Sequence, residues 1–100
     1  LKAFFANKTA TNVVEDIRKA ITGRKLGEIT QLEEKAGNIV VTISKLGTSV
    51  LTFATKVRDG GVEIALTGEK LALAHRPIRG EVTNKLTKVV EQVGGNVLSR

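Results

Sequence analysis

The chain reads as an α+β domain: an N-terminal helix, an antiparallel meander of four or five strands and a C-terminal helix, with both helices packed on one sheet face. Three observations predict this class. The apolar spacing is helical at both ends and alternates in between. Short turn-forming stretches (KAGN, KLGT, RDGG and TGEK) separate the alternating segments, and connections that tight join only antiparallel neighbours. Each helical segment carries one apolar stripe, and the strands carry one strongly apolar face for both to cover.

The elements follow in order. Ala3, Phe4, Phe5 and Ala6 form a patch too short to classify, and two phenylalanines this close to the end predict that residues 1–8 either dock on the core or stay flexible. Residues 12–22, NVVEDIRKAIT, predict a helix with Asn12 as N-cap and Glu15 as its capping-box partner. Ala10, Val13, Val14, Ile17, Ala20 and Ile21 make its buried stripe. Glu15 and Asp16 fall in the expected first turn, Arg18, Lys19, Arg24 and Lys25 in or after the last, and Gly23 at a left-handed cap. Strands are then expected at 28–34, 39–44, 49–57 and 62–66, pointing Ile39, Val41, Ile43, Leu51, Phe53, Val62, Ile64 and Leu66 inward. RDGG is the strongest hairpin signal, since Asp-Gly suits a type I′ turn. TGEK is expected to turn again, leaving LALAH (71–75) as a short fifth strand or extended lead-in. Pro77 fits the first position of a second helix whose stripe is Ile78, Val82, Leu86, Val89, Val90 and Val93. Gly80 is read as permitting close packing on the sheet, Gly94-Gly95 as the helix end, and residues 96–100 as frayed.

Composition bounds the function. One hundred residues predict one domain spanning 1–100. With 41% hydrophobic and 26% charged residues, the chain is too apolar for disorder. Apolar runs of four or five residues exclude a membrane-spanning helix, and LKAFFANK is too short for a signal peptide. No cysteine is present, which excludes disulfide and thiolate chemistry and is compatible with a reducing cytoplasm. Sixteen Lys or Arg against ten Asp or Glu leave a net charge of +6, which favours an anionic partner.

Catalytic constellations are scarce. His75 is the only imidazole. A triad with Ser44, Ser49 or Ser99 can be drawn on paper, but no nucleophile-elbow sequence accompanies it. One histidine and scattered carboxylates offer no metal-ligand spacing, Glu33 and Glu34 face opposite sides of a strand, and no phosphate-cradling glycine pattern appears. A non-enzymatic chain without metal or cofactor is therefore expected. His75 reads as a strand-end residue with a hydrogen-bond partner.

Two surfaces stand out. Arg18, Lys19, Arg24 and Lys25 on the first helix, with Arg76, Arg79, Lys85 and Lys88 on the second, are candidate contacts to an anion or nucleic acid. Arg76 and Arg79 have no structural duty in this reading and lie at a helix N-terminus. With only three Phe to stack bases, nucleic-acid binding would be backbone-directed and weakly sequence-specific. Val40, Thr42, Val50, Thr52, Ala54 and Ala65 fall on the sheet face away from the helices and form a candidate interface. Phe4 and Phe5 beside Lys2 and Lys8 form a minimal apolar-plus-basic anchor for a lipid or granule surface, with core docking as the alternative.

Across LALAHRPIRGEVTNKLTKVVEQVG the chain resembles the polyhydroxyalkanoic acid system (granule-region) proteins, through Leu71, Leu73, Pro77, Ile78, Arg79, Gly80 and Val82. It departs from them in its first helix and in the scarcity of aromatic residues in its strands. The resemblance implies a non-enzymatic role associated with storage granules and no catalytic residue. The combined expectation is a small basic binding or assembly domain that self-associates or binds a protein or an anionic surface. The alternative is a backbone-directed nucleic-acid binder.

Overall fold

A computed structural model describes residues 1–99. It is an α+β fold built on one six-stranded antiparallel sheet. The chain runs β1 (Lys2–Ala6), α1 (Ala10–Ile21), α2 (Lys25–Ile29), β2 (Thr30–Lys35), β3 (Asn38–Ser44), β4 (Thr48–Arg58), β5 (Gly61–Lys70), a 3-10 helix (Leu73–Ile78), α3 (Arg79–Gln92) and β6 (Gly95–Ser99). The strand order is β2-β3-β4-β5-β1-β6. The central meander agrees with the sequence pattern, and the two terminal strands correct it.

Alternation explains the sheet. Ile39, Val41 and Ile43 of β3, Leu51 and Phe53 of β4 and Val62 and Ile64 of β5 are buried on one face. Leu32 of β2 joins them. Val13, Val14, Ile17 and Ile21 of α1 and Leu86, Val89 and Val90 of α3 complete a single core. A small internal cavity of about 30 Å³ touches Ile17, Leu86 and Val89 on its helical side and Val41, Phe53 and Ile64 on its sheet side. Both long helices therefore cover the same face, as the apolar stripes require.

Several local expectations are corrected. Ala3 and Phe5 dock on the core as members of β1, fully buried between β5 and β6. The patch showed no period because Phe4 and Phe5 are both apolar while only Phe5 points inward. Helix α1 starts two residues earlier than expected. Thr9 is its N-cap, accepting from Asn12 N–H at 3.1 Å, while Asn12 Oδ1 accepts from Thr9 N–H at 3.1 Å. Asn12 is thus the reciprocal partner in the capping box, and Glu15 and Asp16 lie beyond the first turn. Asp16 pairs instead with Lys8 at 2.7 Å. Ile29 ends the short helix α2 rather than lying in a strand, so β2 begins at Thr30. The positive φ angles of a type I′ turn occur at Ala36 (+50°) and Gly37 (+80°), whereas at Asp59-Gly60 only the glycine is positive.

The largest local corrections concern residues 67–99. TGEK continues β5, and LALAH forms no fifth strand. A bulge lets Thr52 face Gly68 and Phe53 face Leu66, leaving Thr67 unpaired. Beyond it the side-chain parity of β5 reverses. Pro77 lies inside the 3-10 helix, so α3 proper starts at Arg79. Gly94-Gly95 turns the chain into β6 instead of a frayed end, and Arg100 lies outside the described residues. A Cβ at Gly95 would approach Val90 Cγ1 to 2.6 Å and Phe5 Cε2 to 2.9 Å, so only glycine lets the chain pass there.

Gly80 has no such duty, because nothing lies within 4 Å of its missing Cβ and its φ is not positive. Gly80→Ala should therefore stabilise the fold by about 0.5–1 kcal/mol through helix propensity alone. Paired urea unfolding curves check this, with an upward shift in the midpoint at unchanged slope.

Candidate functional site

Beside the core residues Ile43 and Leu51, towards the β3–β4 turn, the inner face of the sheet opens into a cleft of about 660 Å³. Ile43, Leu51 and Leu71 line its sheet side, Leu26 and Ile29 come from α2, and Ile78 and Val82 come from the entry to α3. This volume lies within the usual range for small-molecule sites, and the lining is mostly apolar, as in such sites. The reversed parity after the β5 bulge puts Glu69 opposite Leu51 on the inner face, and Glu69 and Leu71 both line the cleft. Three of the exposed large apolar side chains, Leu46, Leu73 and Ile78, lie on the β3–β4 tip and the helical segment that frame this end.

A buried hydrogen-bond chain holds one wall in place. His75 Nε2 lies 2.5 Å from the carbonyl of Lys45, and Nδ1 lies 2.5 Å from Ser49 Oγ. A carbonyl can only accept, so Nε2 carries a proton, and in the neutral tautomer Nδ1 accepts from the serine hydroxyl. Ser49 Oγ in turn accepts from Ala72 N–H at 2.9 Å. His75 is 6% exposed and Ser49 1%. The chain clips the 3-10 helix to β4 and to the β3–β4 tip. His75 thus has its expected hydrogen-bond partner, but in a helix rather than at a strand end. Of the three serines considered for a triad, Ser49 reaches the imidazole, yet its second partner is a main-chain N–H and the other ring nitrogen faces a main-chain carbonyl.

Four of the eight candidate cations are engaged within the chain. Arg18 donates to the Leu32 carbonyl of the edge strand β2 at 2.7 Å, and Arg24 donates to Gln92 Oε1 at 3.2 Å. Arg79, expected to have no structural duty, donates from Nε and Nη2 to the two carboxylate oxygens of Glu69. The hydrogen bond to Glu69 and its charge hold the guanidinium pKa above its ordinary value. Lys85 pairs with Glu81 at 3.3 Å, one turn away. Lys19, Arg76 and Lys88 are exposed and form no ion pair among the described residues. The 3-10 helix feeds directly into α3, and Arg79 N–H donates to the Arg76 carbonyl, so that helix start is not an empty anion cradle.

The cleft does collect Lys25, Arg79 and Lys85, and it adds Lys45, which the sequence pattern did not single out. The missing signal was positional: Lys45 lies in a turn, and only the fold brings that turn beside α2 and α3. Glu28, Glu69 and Glu81 line the same cleft.

The candidate interface residues do share one face. Val40 lies opposite Thr52, Thr42 opposite Val50, and Ala54 opposite Ala65, all half-buried on the side away from the helices. Phe4 extends this outer face, opposite Glu63, which pairs with Lys2 and Arg58. The expected anchor of two adjacent phenylalanines is split across the sheet, since Phe5 is buried in the core.

Among the described residues no cluster of three His, Cys, Asp or Glu could hold a metal ion. No helix is long and apolar enough to cross a membrane. Removing the serine hydroxyl should leave His75 Nδ1 and Ala72 N–H without their partner, so Ser49→Ala is expected to cost about 2 kcal/mol of stability in denaturant unfolding. Comparison with family profiles, curated proteins and solved structures finds no match to this chain.

Proposed function

We propose that the chain is a non-enzymatic binding domain whose ligand occupies the cleft at the open end of the sheet. One observation carries this reading: a chain of 100 residues leaves about 660 Å³ open beside its core, with an apolar interior and charged side chains around it. The commitment of Ser49 and His75 to each other and to the main chain supports binding over catalysis, because a nucleophile has to be accessible to its substrate. A neutral apolar dye such as N-phenyl-1-naphthylamine should bind once per chain with enhanced fluorescence. Ala74→Trp places a large side chain at an exposed lining position and should abolish that signal with the circular dichroism unchanged. Dye binding that is absent from the wild type, or indifferent to this variant, would remove the reading.

Self-association is a second reading, favoured by the outer sheet face. Its central residues are small or β-branched, uncharged and adjacent in register, and no element among the described residues covers them. Under this reading light scattering gives the mass of a dimer, and Thr52→Lys, a charge at the centre of the face, returns the monomer. A wild-type monomer at high concentration would reject it. Backbone-directed nucleic-acid binding draws less support, since Arg18, Arg24, Arg79 and Lys85 already have partners within the chain.

A further inference from the structure

We infer that the ligand of the cleft is an amphiphile with an apolar body and an anionic head, the head held by Lys25 and Lys45. The inference rests on the cleft reading and adds the chemical class. Four cations and three carboxylates line the cleft. Arg79 is held by Glu69 and Lys85 by Glu81, so these two pairs neutralise themselves. Lys25 and Lys45 remain, and neither has a carboxylate within ion-pair distance among the described residues. Glu28 is the one acid left, which gives the unpaired lining a net positive charge. The two lysines come from separate elements, α2 and the β3–β4 tip, and the tip is tied down by the His75 bond to the Lys45 carbonyl. The head group is therefore met by one anchored turn and one helix, and the apolar tail by Ile43, Leu51, Leu71 and Val82.

The backbone of the tip agrees with a role in covering such a tail. Leu46 is 87% exposed and holds φ at +55°, a left-handed conformation that costs a bulky side chain energy and is usually left to glycine or asparagine. It also lines the cleft. A large apolar side chain kept in a strained turn, next to an apolar cavity and an unpaired lysine, fits a ligand that has both an apolar and an anionic part.

Ten-carbon probes that differ only in the head test the class: decanoate, decyltrimethylammonium and decanol, each below its micellar concentration. Titration is followed by amide chemical shifts. Decanoate should bind with shifts centred on the cleft and about tenfold more tightly than the ammonium probe, the difference expected from two exposed charge pairs. Lys25→Glu with Lys45→Glu should remove that preference while leaving decanol binding within about twofold. Equal affinity for all three probes, with shifts in the cleft, would overturn the anionic class and leave the cleft reading standing. Shifts confined to other surfaces, or none with any probe, would overturn both.

Discussion

The fold depends on the insertion of β1 between β5 and β6. Without it the sheet would end at β5, and Val62 and Ile64 would sit at an edge. With it, Ala3 and Phe5 are wholly buried, and burying one phenylalanine contributes about 2–3 kcal/mol. The same strand offers its other edge to β6, so both terminal segments are held in one part of the sheet. Helix α3 is tied in as well, because the turn at Gly94-Gly95 passes tightly over Val90 and Phe5. Lys8 joins this closure by donating to the Val93 carbonyl at the end of α3 while pairing with Asp16 of α1.

At the opposite end of the sheet a different device operates. One extra residue, Thr67, reverses which side chains of β5 point inward. The inward partners then become Glu69 and Leu71. Glu69 fixes Arg79 at the start of α3, and Leu71 lines the cleft. The Ser49–His75 chain holds the following segment against β4. A bulge and one buried imidazole thus keep the helical segment near the sheet without filling the space between them. Polar links join the layers at the cleft alongside the apolar packing of Leu26, Ile29, Leu71 and Val82 on the core.

The central meander was legible because alternation and turn residues say the same thing there. Ile39, Val41 and Ile43 on one face, and Val40 and Thr42 on the other, can be read directly from order. The strands β1 and β6 were not legible, since each has five residues and gains its identity from pairing with segments far away in sequence. TGEK was misread because its glycine marks a bulge as readily as a turn. In the candidate site, the helix stripe placed Val82 against the core, whereas Ile78, which ends the 3-10 helix before α3, is 43% exposed. That Lys25 and Lys45 line the same cleft was invisible, as was the approach of His75 to Ser49, because 26 residues separate the latter pair and only the fold brings them together.

The charge distribution has a consistent physical logic once the fold is in place. A net charge of +6 suggested a basic face, yet several cations serve the architecture. Arg18 occupies a carbonyl on the edge strand β2, which also carries Glu33, Glu34 and Lys35, and so blunts an edge that could otherwise pair with another chain. Arg24 reaches across to Gln92 near the end of α3. Arg79 is balanced by Glu69 of β5, across from its own helix, and Lys85 by Glu81 one turn away on α3. What remains uncommitted is therefore more informative than the total. Lys25 and Lys45 both line the cleft as exposed side chains, where a ligand that enters it can bring an anion to them.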